Sequence, residues 1–124
     1  MSYQIKWEEK GVIVRFSGIY SFKEDSDANI EMYSDSRFEN LNYIIWDMSG
    51  ISELNMTEEE AGLTSMQDRL ASSRLPHVKM ALLAQDKPTR KICEHYIAKC
   101  RNDKLGWEFL ISDSMESIRS WATS

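Results

Sequence analysis

Hydrophobic positions along the chain switch repeatedly between a period of two and a period near 3.6, and the switches predict the order β-β-α-β-α-β-α-β-α. Tyr3, Ile5 and Trp7 alternate with polar residues, as do Val12, Val14 and Phe16, and the Lys10-Gly11 pair between them makes a hairpin turn. Ser21, with Glu24 three residues on, opens a helix reaching about Asp35. The β-branched and aromatic run Tyr43-Ile44-Ile45-Trp46 starts a third strand, 43–48, closed by a turn at Gly50. Thr57 and Glu60 have the spacing of a reciprocal capping box, so a second helix runs from Thr57 to about Ser72. Its apolar stripe is Leu63, Met66 and Leu70, and Pro76 lies beyond its end. Val78–Ala84 makes strand four. A third helix follows Pro88 with Ile92, Cys93, Tyr96, Ile97 and Cys100 on one face. Trp107–Ile111 makes strand five, and Asp113 or Ser114 caps a short helix carrying Met115, Ile118 and Trp121.

One hairpin followed by alternating strands and helices implies an α/β fold, a mixed five-stranded sheet that is parallel across strands two to five. The apolar runs of strands four and five are those of strands buried on both sides. At 124 residues with 42% hydrophobic content, residues 1–124 form one domain able to bury a core without metal or disulfide. No apolar run approaches the roughly 20 residues that cross a bilayer, and no basic segment followed by an apolar one opens the chain. Cys93 and Cys100 fall on one helix about 10 Å apart along its axis, beyond disulfide reach. Reduced thiols and a cytoplasmic location are the expectation.

The net charge of −5 is uneven: residues 1–62 carry −8 and residues 63–124 carry +3. The acidic half places Glu24, Asp25, Asp27, Glu31 and Asp35 on the first helix, where a solvated face accounts for them. The basic residues between Lys87 and Lys104 lack interleaved exposed aromatics, and with the overall negative charge this argues against nucleic acid. His77 and His95 are the only histidines, and Cys93 and His95 point about 200° apart around a helix, so no metal site is expected. Nucleophile elbows and glycine-rich phosphate loops are absent, which predicts neither cofactor nor enzymatic activity.

The strand–loop–helix corner at 43–63 draws most of the functional interest. Its residues Asp47-Met48-Ser49-Gly50-Ile51, Leu54 and a helix beginning at 56–58 resemble the third strand and second helix of STAS domains. That is the fold of bacterial anti-sigma-factor antagonists (SpoIIAA-like proteins) and of the cytoplasmic tails of sulfate transporters. Bulk before the Asp and an N-terminal hairpin resemble the STAS/SEC14-like branch in particular. The resemblance implies sequential strands lying side by side, helices wound as a superhelix against one face, and a regulatory role through protein contacts. In anti-sigma antagonists this corner reads Asp-Ser-Ser-Gly with its first Ser phosphorylated. Here Asn55 stands at the Asp, Met56 at that Ser and Thr57 at the second Ser, so the phosphoacceptor is missing.

Parallel sheets place sites outside the carboxyl ends of their strands. The expected partner-binding residues are therefore Asp47, Ser49, Ser52, Asn55, Met56 and Thr57, with Met56 on or near the surface. The alternative is a small apolar or lipid-like ligand, in a cleft lined by Trp46, Met48, Leu63, Met66 and Trp107 together with Met56. The identity of the protein partner is open, and so is the oligomeric state, a homodimer included.

Overall fold

The structure is a computed structural model and describes residues 2–124. Tyr3–Trp7 (β1) and Gly11–Ser21 (β2) form the antiparallel hairpin, with Tyr3 opposite Phe16 and Trp7 opposite Val12. Helix Phe22–Ser34 (α1) and a 3-10 turn, Ser36–Asn40, lead to Tyr43–Asn55 (β3), which runs parallel to β2. The 3-10 turn was not foreseen; the Asp35 side chain caps it by accepting from the Arg37 N–H at 2.9 Å. Glu58–Ala71 (α2), Lys79–Leu83 (β4), Lys87–Asn102 (α3), Glu108–Ser112 (β5) and Met115–Ala122 (α4) follow. The strands are parallel from β2 onward, as the alternating pattern predicts, and they lie in the sequential order β1-β2-β3-β4-β5 that the family resemblance implies.

Alternate residues of β2, β3 and β4 feed two apolar layers. Val12, Val14, Ile44, Trp46, Met80 and Leu82 pack with α1, α2 and α3 on one face. Ile13, Ile45, Ala81 and Leu83 pack on the other with Ile118 and Ala122 of α4. The last helix therefore leaves the face that holds the other three. It is fastened there by Arg119, which donates two hydrogen bonds to the Glu8 carboxylate, at 2.6 and 2.8 Å, while the Tyr43 hydroxyl donates a third. The Arg119 bonds, chiefly, hold the Glu8 pKa down at about 2.

Three further expectations are corrected. β5 is an edge strand and only partly buried, because it has one strand neighbour and short cover. β3 does not end at Met48. It continues to Asn55 because β2 is equally extended, and Ser17–Ser21 pair with Gly50–Asn55 through two register shifts. Gly18, at φ +73, takes up the backbone of the second shift, where a side chain would be strained. Finally, α2 is rotated from its expected orientation. Ala61, Thr64, Ser65, Asp68 and Ala71 face inward, and Leu63, Met66 and Leu70 face solvent. Both sets recur at helical spacing, so periodicity alone could not choose between them. The small and polar set wins because polar partners wait for it inside.

Candidate functional site

α2 lies between α1 and α3, and the contact among the three helices is polar. Asp25 of α1 is only 2% exposed. Its carboxylate accepts from the Tyr20 hydroxyl at 2.9 Å, the Asn29 amide at 3.0 Å and the Thr64 hydroxyl at 3.1 Å. Trp46 donates its indole N–H to the Tyr20 oxygen at 3.1 Å, which ties the network to the sheet. Asn29 also donates to Gln67, and Gln67 to Ser26. Asp68 of α2 accepts from the hydroxyls of Tyr33 and Tyr96, one from each flanking helix.

Burial is the main force on both carboxyls, since removing a charge from water penalises the ionised form. It pushes Asp25 up to about 7 against the opposing bond from Tyr20, with the Asp68 charge adding to the rise. Asp68 is pushed to about 6, opposed by the bonds from its two tyrosines. Between these groups and the sheet lies a cavity of about 30 Å³, lined by Tyr20, Trp46, Met48, Met56 and Tyr96 among others. That space has room for about one or two waters, whereas pockets for small organic ligands run to roughly 300 Å³ or more.

The residues expected at the corner divide into three groups. Asp47 is buried and committed to local structure: it pairs with Arg15 at 3.5 Å and accepts from the Ser49 N–H at 2.9 Å and the Ser49 hydroxyl at 2.6 Å. This knot sits where β3 parts from β4, whose pairing stops at Asp47–Leu83. Ser49, Ser52, Asn55 and Thr57 are exposed along the continuing strand and the helix start. Met56, contrary to expectation, is 9% exposed and points into the core cavity. Thr57 forms the full capping box, its hydroxyl accepting from the Glu60 N–H at 3.1 Å and its own N–H donating to the Glu60 carboxylate at 2.9 Å.

The expected apolar cleft is only partly assembled. Trp46, Met48 and Met56 line the cavity; Leu63 and Met66 stand on the opposite side of α2 in solvent. Trp107 is buried elsewhere, its indole donating to the Leu75 carbonyl at 2.7 Å. Sequence reasoning missed the buried Asp25, Asn29, Thr64 and Asp68, and counted Asp25 in a solvated face. The available signal was the paired i, i+4 spacing of polar residues, 25 with 29 and 64 with 68, in a chain holding enough tyrosines to satisfy them.

Beside the free stretch of β3 runs an open groove of about 440 Å³, between residues of the 49–54 stretch on one wall and Gln85, Asp86 and Thr89 on the other. Thr89 is fully buried, and its hydroxyl is the one buried side-chain polar atom without a partner among the described residues. No group of three or more metal-ligating side chains occurs among those residues. No helix among them is long and apolar enough to cross a membrane.

No protein-family model and no curated protein matches the chain. Solved structures do. The anti-sigma factor antagonist SpoIIAA in its unphosphorylated form superposes with a TM-score of 0.65 at 14% identity, over 98% of this chain and 97% of that one. The Bacillus cell fate determinant SpoIIAA in its phosphorylated form gives 0.60 at 14% identity, over 96% and 98%. An uncharacterised protein of the DUF3478 family with a SpoIIAA-like fold, from Shewanella loihica, gives 0.54 at 10% identity, over 97% and 91%. At such identities the likeness is one of architecture, and the chain has the SpoIIAA-like STAS fold.

Proposed function

We propose that this domain acts by binding a protein partner, without chemistry, along the free edge of β3 and the start of α2. The observation that carries the reading is the overhang of β3. From Gly50 to Asn55 the strand is paired to β2 on one side only, and its other side opens onto the groove that Thr89 helps to line. An open strand edge presents alternating N–H and carbonyl groups that another chain can complete. Ser49, Ser52, Asn55 and Thr57 lie on or beside that edge, and Glu53 and Asp86 give the groove acidic character. Asp47 and Met56 support this surface from behind and do not contact the partner.

The SpoIIAA neighbours support a regulatory role, one being an anti-sigma factor antagonist and one a phosphorylated form. Phosphorylation is not the control here. The residue at the phosphoacceptor place, Met56, is buried and has no hydroxyl, and the Thr57 hydroxyl is held in its cap amid Glu58, Glu59 and Glu60. A reducing cytoplasm suits the two free, buried thiols. The apolar-ligand alternative finds no room in a cavity of water size.

The test compares affinity capture from the native host by the parent and by a Ser49→Arg, Ser52→Arg double variant of matched melting temperature. The expected result is a protein retained by the parent and lost by the variant, with hydrogen exchange at 49–55 slowed in the complex. Identical capture by both proteins refutes the assignment of this edge.

A further inference from the structure

The outward face of α2 is unused by the reading above. Leu63, Met66 and Leu70 occupy it at i, i+3 and i+7, with Leu70 78% exposed. Ile30 of α1, 58% exposed, adjoins them: it stands one turn beyond Ser26, whose hydroxyl accepts from Gln67 of α2. Four large apolar side chains on one patch leave area in water that only an intermolecular contact can remove. The 3-4 spacing is that of a seam between two helices. Beside it, a Cβ added at Gly62 would meet nothing within 4 Å, so a second backbone can approach closely there.

Charge identifies the occupant. Glu58, Glu59 and Glu60 fill the first turn of α2, while Arg69 lies in its last turn and Arg74 just beyond. Glu59 and Arg69 have no ionic partner among the described residues. A second α2 laid parallel would set glutamates against glutamates. Laid antiparallel about Met66, it brings each Glu59 within about 6 Å, measured along the axis, of the other copy's Arg69. An apolar seam whose ends carry opposite charge is complementary to itself under a two-fold axis. We propose that the domain forms a two-fold homodimer through antiparallel packing of α2, with Leu63, Met66 and Leu70 at its centre and Ile30 at its margin.

Sedimentation velocity over a concentration range of about a hundredfold tests association by mass action. The parent is expected to pass from monomer to dimer. A Met66→Glu, Leu70→Glu variant, altered only at exposed positions, should keep its melting temperature and raise the dimer dissociation constant at least about tenfold. Geometry is read separately by Met66→Cys: mild oxidation should link residue 66 to its own copy, while Ser52→Cys on β3 gives no link, the native thiols being buried. A parent that stays monomeric throughout overturns the proposal, as does a dimer indifferent to the double substitution. A dimer that forms without the residue-66 link overturns the antiparallel arrangement. The substitutions at Met66 and Leu70 leave the β3 edge intact, so partner capture and self-association fail or succeed independently.

Discussion

Replacing Asp25 by Asn removes a fully buried charge while leaving its hydrogen-bond partners in place. The amide oxygen takes over the acceptor role toward Tyr20 and Thr64, and the new NH2 faces the Asn29 amide nitrogen. That conflict is resolved if Asn29 turns its amide over, Gln67 does the same to donate to it, and the Ser26 hydroxyl becomes the donor. Every member keeps a partner, so the effect is electrostatic. Burial raises the Asp25 pKa from 3.8 to about 7 in the folded protein. Between those two values the folded protein holds a proton that the unfolded chain has released, so the stability of the parent falls as pH rises through the window and is level above it. Three units of pKa amount to about 4 kcal/mol, a ceiling reached near pH 7. Asp25→Asn should therefore match the parent near pH 4 and exceed its stability by up to about 4 kcal/mol near pH 8. Asp68 titrates in both proteins and largely cancels from the difference. Urea denaturation at a series of pH values measures it. A difference between variant and parent that is constant across the series would refute the claim that a buried ionised carboxylate destabilises the fold at neutral pH.

Thr57→Ala should cost about 1 kcal/mol in urea denaturation, while Thr57→Asp stays within about half of that, because an aspartate caps as well as a threonine; equal losses would deny the box its role. Cys93 and Cys100, both buried and with thiol pKa values pushed up to about 12 by desolvation, should react slowly with a thiol reagent in the folded protein and quickly in denaturant. Fast native labelling would show that α3 presents a different face to the sheet.

Element order was legible wherever a segment meets one kind of environment. The hairpin, the α3 stripe of Cys93, Tyr96, Ile97 and Cys100, and the caps at Thr57 and Ser114 emerge as read. Legibility failed where two patterns share one segment. In α2 the apolar stripe and the small polar stripe have the same period, and which one faces inward depends on Tyr33, Tyr96 and Asp25, residues brought there by other helices. Residues 49–55 are polar enough to pass for a loop, and only the matching length of β2 makes them strand. The corner read as one compact loop is instead drawn out: β3 runs on to Asn55, so Asp47 and Asn55 lie eight residues apart along extended strand, and Asp47 and Met56 turn inward while Ser49, Ser52, Asn55 and Thr57 stay exposed.

The sequential strand order has a consequence for how the protein assembles. Each strand pairs with the next one along the chain, so every closure joins neighbours through a hairpin or a single helix, and no strand waits for one from a distant part of the sequence. The clasp between Glu8 and Arg119 is different. It spans 111 residues and can close only after the intervening strands have set the hairpin and α4 at the right distance. On that order of events its strength is expected to be absent from the transition state and present in the product. Such a contact hardly changes how fast the native state forms, and it slows how fast that state is lost.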